Sequence, residues 1–201
     1  MKKMILMAVA MLASVASFAQ HSVGTVTIQP KVGVNVATLT DGSDDVKSRI
    51  GLAAGAEFEY QATDIFSISA GAIYSMQGAK FDKTTWKLDY INIPILANVY
   101  VVKGLAVKLG VQPAFKVNSD VALQTTGVDI TGNASDITKS FDFSIPVGVS
   151  YEFSNFVIDA RYNWGLTKVI DNSKLSSINK NLESNSKNSV FQFTVGYKFA
   201  L

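Results

Sequence analysis

From residue 26 to its last residue the chain repeats one motif, an alternation of apolar and polar side chains with a period of two. Successive side chains of an extended strand point to opposite faces, so this alternation predicts strands with one apolar and one polar face. The final segment is the clearest. Phe191, Phe193, Val195, Tyr197, Phe199 and Leu201 fall on one face, and Gln192, Thr194, Gly196, Lys198 and Ala200 on the other. Seven further segments follow the same rule, over residues 26–36, 50–60, 66–76, 91–101, 105–117, 141–153 and 156–166. Each runs to 11 or more residues. Strands of soluble proteins average about 5–6, whereas a tilted strand crossing a bilayer needs roughly 9–11.

Two places break the pattern. Ile73 lies on the polar face of the third segment. Ahead of the fourth, Trp86, Leu88 and Tyr90 have the opposite parity to Ile91, Ile93 and Ile95. One extra residue near Tyr90 or Ile91 would bring both runs to the same face, so a β-bulge is predicted there.

The connections alternate in length. Short ones fall at Ala62-Thr63-Asp64, Lys103-Gly104 and Ser154-Asn155, and long ones at 40–49, 79–86, 119–138 and 167–188. Short turns at one end and long loops at the other are the arrangement of outer-membrane barrels. The predicted fold is all-β: an eight-stranded, antiparallel, up-and-down transmembrane β-barrel over residues 20–201. An even strand count puts both termini on the periplasmic side. Strand eight must close against strand one, pairing near Ile28 to Val36.

Alternation does not say which face is inside, and a soluble lipocalin-like barrel binding an apolar ligand shares the period. Three features favour apolar-out. Aromatics gather at both ends of the apolar face, with Phe58, Tyr60, Tyr151, Phe156 and Tyr197 near the short turns and Tyr74, Phe141, Tyr162, Trp164 and Phe191 near the long loops. Such bands match the aromatic girdles of membrane barrels. The polar face is rich in small residues, which suits a narrow interior. Its charges also balance, with Lys31, Lys108, Lys116, Arg161 and Lys198 against Glu57, Glu59, Asp142, Glu152 and Asp159. Unpaired charge is costly in a narrow lumen, so these ten residues are expected to form a lumen ion-pair network. An eight-stranded barrel filled in this way is a plug and not a pore.

Composition sharpens the picture at the N-terminus. Met1-Lys2-Lys3, an apolar stretch over 4–15 and Ser17-Phe18-Ala19 before Gln20 predict a cleavable signal peptide at 1–19. Its removal takes away two of 18 basic residues, leaving 16 against 16 acidic ones. A neutral chain offers no electrostatic footprint for nucleic acid. The sequence has no Cys, and its one His is His21. Ser-His pairs and His metal sites are thereby excluded from the barrel. Glu57 and Glu59 share a face but are better read as lumen carboxylates than as a catalytic dyad. Asp41-Gly42-Ser43-Asp44-Asp45 lacks the spacing and final Glu of a Ca²⁺ loop and reads as a solvated turn. No cofactor or metal is expected, and the reading is non-enzymatic. In the polar fourth loop, Leu175, Ile178 and Leu182 have the spacing of a short amphipathic helix, but a solvating loop is the preferred reading. If an extracellular or envelope protein is a partner, the long loops are where it would bind.

Three stretches carry a family resemblance: the signal ending Phe18-Ala19-Gln20, the run Leu88-Asp89-Tyr90-Ile91-Asn92-Ile93-Pro94-Ile95-Leu96, and the ending Val195-Gly196-Tyr197-Lys198-Phe199. Together they resemble PorT-like, OmpA-like eight-stranded outer-membrane barrels of Bacteroidetes-type bacteria. The chain departs from that pattern in ending on Leu201 where an aromatic is usual, and in Asn92 where Glu is commoner. The resemblance implies the barrel, outer-membrane lipid as surroundings and the barrel-assembly machinery as a partner. Phe193, Val195, Tyr197, Phe199 and Leu201 then correspond to an insertion signal. A role in envelope structure or surface interaction is expected, and one in protein secretion would follow by family analogy alone.

Overall fold

The computed structural model describes residues 22–40, 46–81, 84–125, 128–133, 138–170 and 185–201. The predicted signal peptide, the Asp41–Asp45 turn and the Leu175/Ile178/Leu182 stretch lie outside these residues. Eleven strands occur in chain order: β1 (Val26–Leu39), β2 (Val46–Thr63), β3 (Phe66–Phe81), β4 (Thr84–Asn92), β5 (Ile95–Val102), β6 (Leu105–Thr125), β7 (Val128–Asn133), β8 (Phe141–Phe153), β9 (Phe156–Lys168), β10 (Lys187–Tyr197) and β11 (Phe199–Ala200). They form one antiparallel sheet that closes on itself.

The eleven strands make eight staves, because β4 with β5, β7 with β8 and β10 with β11 each share one. β4 and β5 are one stave interrupted at Ile93-Pro94, where Pro94 has no N–H to donate. The register does not slip there, since β3 pairs Ile73 with Asn92 and Ala70 with Ile95 on either side of the break. The Pro94 carbonyl still accepts from Gly71 N at 3.2 Å, and Ile93 N donates to Pro113 O at 2.8 Å. β11 likewise continues β10 past Lys198. β1 closes the barrel against both, from Leu39↔Asn188 to Lys31↔Gly196 and then Ile28↔Phe199 and Thr27↔Ala200. A closed ladder leaves no unpaired edge in the hydrocarbon, which is what makes a sheet viable in a membrane.

The apolar face points outward. Val32, Leu52, Phe58, Ile68, Leu109, Val149, Ile158, Phe193 and Val195 are all exposed, while Gln29, Lys31, Asn35, Glu57, Asn98, Gln112, Asp159 and Gln192 are buried. A soluble barrel for an apolar ligand has the opposite arrangement, so the lipocalin-like alternative is overturned. Aromatic contacts lie at two levels of the outer face. Phe115–Phe141 and Tyr162–Phe191 meet at 5.7 and 4.7 Å on the long-loop side, and Phe156–Tyr197 and Tyr197–Phe199 at 5.0 and 4.7 Å on the short-turn side.

The structure corrects two expectations. The extra residue is not in the fourth segment. β3 and β4 stay in register from Phe81↔Thr84 to Ile73↔Asn92. The slip is on the neighbouring strand, where β4 pairs Asp89 with Asn118 but Tyr90 with Lys116, leaving Val117 unopposed. Leu88 and Tyr90 therefore keep their own parity and face inward, 0% and 1% exposed. With Leu39, Ala79, Ala114 and Val169 they form an apolar layer inside the barrel, above the charged lumen.

The loops also differ. The connection expected at 79–86 is a tight hairpin with β3 and β4 paired up to Phe81↔Thr84. Much of 119–138 is also sheet, because β6 runs to Thr125 and pairs with β7 from Thr125↔Val128 to Asp120↔Asn133. At roughly 3.3 Å per residue and a tilt near 45°, a 21-residue strand such as β6 rises about 49 Å, well beyond an apolar band of about 25 Å. The long-loop rim is thus built of strands that overshoot the membrane.

Candidate functional site: the lumen

The inward face gathers its charges into two groups, each side chain placed by the period-two rule. At mid-barrel β1 contributes Lys31, β2 Glu57, β6 Lys108, and β9 both Asp159 and Arg161. Arg161 is the centre. Its Nη1 and Nη2 donate to the two Glu57 oxygens at 2.6 and 2.8 Å, while its Nε and Nη2 donate to the two Asp159 oxygens at 2.6 and 2.9 Å. A planar guanidinium that grips two carboxylates bidentately is the strongest use of Arg geometry. Lys31 Nζ lies 2.7 Å from Glu57 Oε2 and 3.8 Å from Asp159 Oδ2, and Lys108 Nζ lies 2.7 Å from Asp159 Oδ2. The Arg161–Glu57 pair joins residues 104 apart in sequence across the lumen.

Small residues make room for this group. Gly148 lies between Lys108 and Arg161 in the ladder, and Gly71 lies beside Glu57. A Cβ on Gly148 would come 2.9 Å from Arg161 Cγ, and one on Gly71 would come 2.7 Å from Glu57 Cγ. Gly148 and Gly71, among the small residues of the polar face, therefore serve close approach and are not merely filler.

The second group lies toward the short turns. Lys198 Nζ bridges Glu152 at 2.8 Å and Glu59 at 3.0 Å. Glu59 also accepts from Ser67 Oγ at 2.7 Å and from the Tyr100 hydroxyl. Asn98 extends the network by donating to Ser67 Oγ and Ser69 Oγ at 3.0 and 3.2 Å. Lys198 sits between β10 and β11, and its backbone is tied to Asn155 in both directions, N to O at 2.8 Å and O from Nδ2 at 2.9 Å. Three cations meet two anions at mid-barrel and one cation meets two anions below, so the two groups together are neutral.

Of the ten charges expected in the lumen, eight are brought into these two groups and two are not. Lys116 Nζ donates to the Thr138 carbonyl and hydroxyl at 2.8 and 2.6 Å, near the long-loop rim. Asp142 accepts from Phe143 N and Asn188 Nδ2, both at 2.8 Å, and from the Thr167 hydroxyl. Glu57 and Glu59 fall into different groups, each saturated by its own donors. The structure adds one pair the sequence reading missed, Arg49 with Asp89 at 3.7 Å. Arg49 also donates to the Gln77 carbonyl. It falls within the loop expected at 40–49, although its odd number continues the inward parity of Gly51, Ala53 and Glu57. Among the described residues no group of three or more His, Cys, Asp or Glu is arranged to hold a metal ion.

Comparison with known proteins agrees with this geometry. A family model, the outer membrane protein beta-barrel domain, matches residues 18–171. The chain belongs to that family. The match stops before β10, and the structure supplies the closing stave. Among solved structures, the outer-membrane barrel fold recurs in Ail, the attachment invasion locus protein of Yersinia pestis, solved in complex with the heparin analogue sucrose octasulfate. The TM-score is 0.54 at 12% identity, over 89% of this chain and 100% of that one. Neisserial surface protein A superposes with a TM-score of 0.50 at 17% identity, over 87% and 97% of the two chains. At such identities the likeness is one of fold. No curated protein matches this sequence. As a member of this family the protein is an outer-membrane β-barrel, and its lumen is the interior of a membrane-spanning domain.

Proposed function

We propose that this barrel is a non-enzymatic envelope protein, plugged by its own side chains, that works through structure or surface contact and not through transport. The observation that carries the reading is the Arg161 bridge, which ties β9 to β2 across the lumen through two charged hydrogen bonds to Glu57 of 2.6 and 2.8 Å and is braced on β9 by two more to Asp159. Solute passage would require breaking them. The apolar layer of Leu88, Tyr90 and Val169 adds a second obstruction. The non-enzymatic reading rests on chemistry, since the sequence has no Cys and only His21.

In this reading the short turns and both termini are periplasmic, and the overshooting strands β6 and β7 face the cell exterior as the contact surface. Phe193, Val195, Tyr197, Phe199 and Leu201 act as the signal read by the barrel-assembly machinery. The Leu88–Leu96 run and the terminal Val-Gly-Tyr-Lys-Phe support a place among the PorT-like barrels.

The absence of native Cys makes the orientation directly testable. Single Cys residues at the exposed positions Lys80 and Asp64 would be probed on intact cells with a membrane-impermeant maleimide. Labelling at 80 but not at 64 is expected, and the reverse would refute the assignment. For the contact role, a strain carrying a barrel with residues 126–133 replaced by a short turn should still insert the barrel but lose adhesion or envelope integrity. Unchanged behaviour in both would refute that role.

A further inference from the structure

We infer that the lumen holds a monovalent cation site between the charged middle and the apolar layer. A cavity of about 10 Å³ lies there, lined by Gln77, Asn92, Gln112, Asp142, Asn163 and Asn188. That is room for about one water-sized occupant. Four of these residues, each no more than 3% exposed, have amide oxygens without a partner among protein atoms: Asn92 Oδ1, Gln112 Oε1, Asn163 Oδ1 and Asn188 Oδ1; Asn92 Nδ2 is the one amide nitrogen of the lining also without a partner. The direction of two amides is fixed. Asn188 Nδ2 donates to Asp142 Oδ2 at 2.8 Å, and Gln112 Nε2 donates to Ser144 Oγ at 3.1 Å, which itself donates to the Gln112 carbonyl. Their oxygens are therefore left as acceptors.

The one charged group in the lining is the Asp142 carboxylate, whose described partners are neutral donors. Buried polar groups cost free energy when unpaired, and a buried charge costs more. One water donates only two hydrogen bonds, so it leaves two of the four amide oxygens unpaired and the negative charge uncompensated. A cation meets both needs, because it takes all four oxygens and brings the opposite charge, with Asn92 Nδ2 alone turned away from it. A single carboxylate among neutral carbonyl dipoles suits a monovalent ion. Ca²⁺ takes six to eight oxygen ligands, commonly including several carboxylates, and Mg²⁺ keeps its waters. Carbonyl oxygens standing in for a hydration shell are how K⁺ is held in channel filters. The site is for Na⁺ or K⁺, and the ion acts as an internal strut for β4, β6, β8, β9 and β10, which supply the ligands.

The test uses the full barrel refolded in detergent micelles, with its thermal midpoint followed by circular dichroism in NaCl, KCl or choline chloride at equal chloride concentration. A ligand that binds only the folded state raises the midpoint in a saturable way. The midpoint should be higher by a few degrees in Na⁺ or K⁺ than in choline, and the difference should vanish in Asp142→Asn. Equal midpoints in all three salts would overturn the proposal, as would an alkali-cation effect that persists in Asp142→Asn. Wild-type crystals grown in RbCl give a second measurement independent of any variant. An anomalous peak beside Asp142 and Asn188 is expected, and density for water alone would refute the site.

Discussion

Replacing Arg161 by Met separates two ways of thinking about the lumen. By net charge, the mid-barrel group holds Lys31, Lys108 and Arg161 against Glu57 and Asp159, so deleting Arg161 leaves two cations on two anions and should relieve repulsion. By geometry, the same change removes four hydrogen bonds of 2.6–2.9 Å and leaves Glu57 and Asp159 with one close lysine each. Losing one partner of a buried, hydrogen-bonded ion pair typically costs about 3–5 kcal/mol. For a chain of this length each kcal/mol moves a thermal midpoint by about 2–4 °C, so a fall of roughly 6–20 °C is expected. Urea unfolding of the refolded barrel in micelles can be followed by fluorescence, since Trp164 lies on the exposed face and moves from lipid to water. Adding Glu57→Gln to the Arg161→Met background should recover part of the loss, because one stranded carboxylate is then neutral. A loss below about 1 kcal/mol, the range of solvated surface pairs, would mean that the lumen is wet and the geometric reasoning wrong.

Three other variants probe the remaining elements. Leu88→Ala should destabilise the barrel by about 2–5 kcal/mol in the same urea assay, because Leu88 is buried in the apolar layer; a negligible change would argue for an outward Leu88. Gly148→Val should block folding or lower the midpoint sharply, since its Cβ meets Arg161 Cγ and the Ala160 carbonyl at 2.9 and 2.5 Å, and normal refolding yield would contradict the close-approach account. Phe199→Ser with Leu201→Ser should reduce the heat-modifiable, folded band recovered from outer membranes while leaving total expression unchanged, and a full yield would show that the terminal strand carries no insertion signal.

The sequence disclosed the eight staves because a membrane barrel needs long segments with unlike faces, and a period of two is readable without any knowledge of neighbours. It also disclosed the closure of β1 on β10, which follows once the staves are ordered. Partner choice was not readable in the same way. The depth of Lys198 leaves Glu57, Glu59, Glu152 and Asp159 all open as partners, of which it meets Glu59 and Glu152, and Lys116 and Asp142 satisfy the charge count without joining the network. Which charges meet depends on strand stagger, and the bulge at Val117 shifts that stagger from the neighbouring strand, out of reach of any pattern in 86–92. The parity of Leu88 and Tyr90 is visible in the sequence, but the face it marks is not. An apolar run suggests the lipid face, whereas above the charged layer the interior is itself apolar. Arg49 is hidden for a related reason, because β2 continues past the expected loop boundary and carries the inward parity with it.

The central claim is that side chains close this barrel, and single-channel recording tests it most directly. The barrel, as residues 20–201 refolded and inserted into a planar lipid bilayer at 1 M KCl, a concentration at which the Debye length is about 3 Å, should give no stable conductance steps. Insertion would be verified in parallel by proteoliposome flotation and the heat-modifiable gel shift. Large, uniform, long-lived steps from the inserted wild-type protein would contradict the account, since no ion current of that kind can pass Arg161, Glu57 and Asp159 while their bridges are intact.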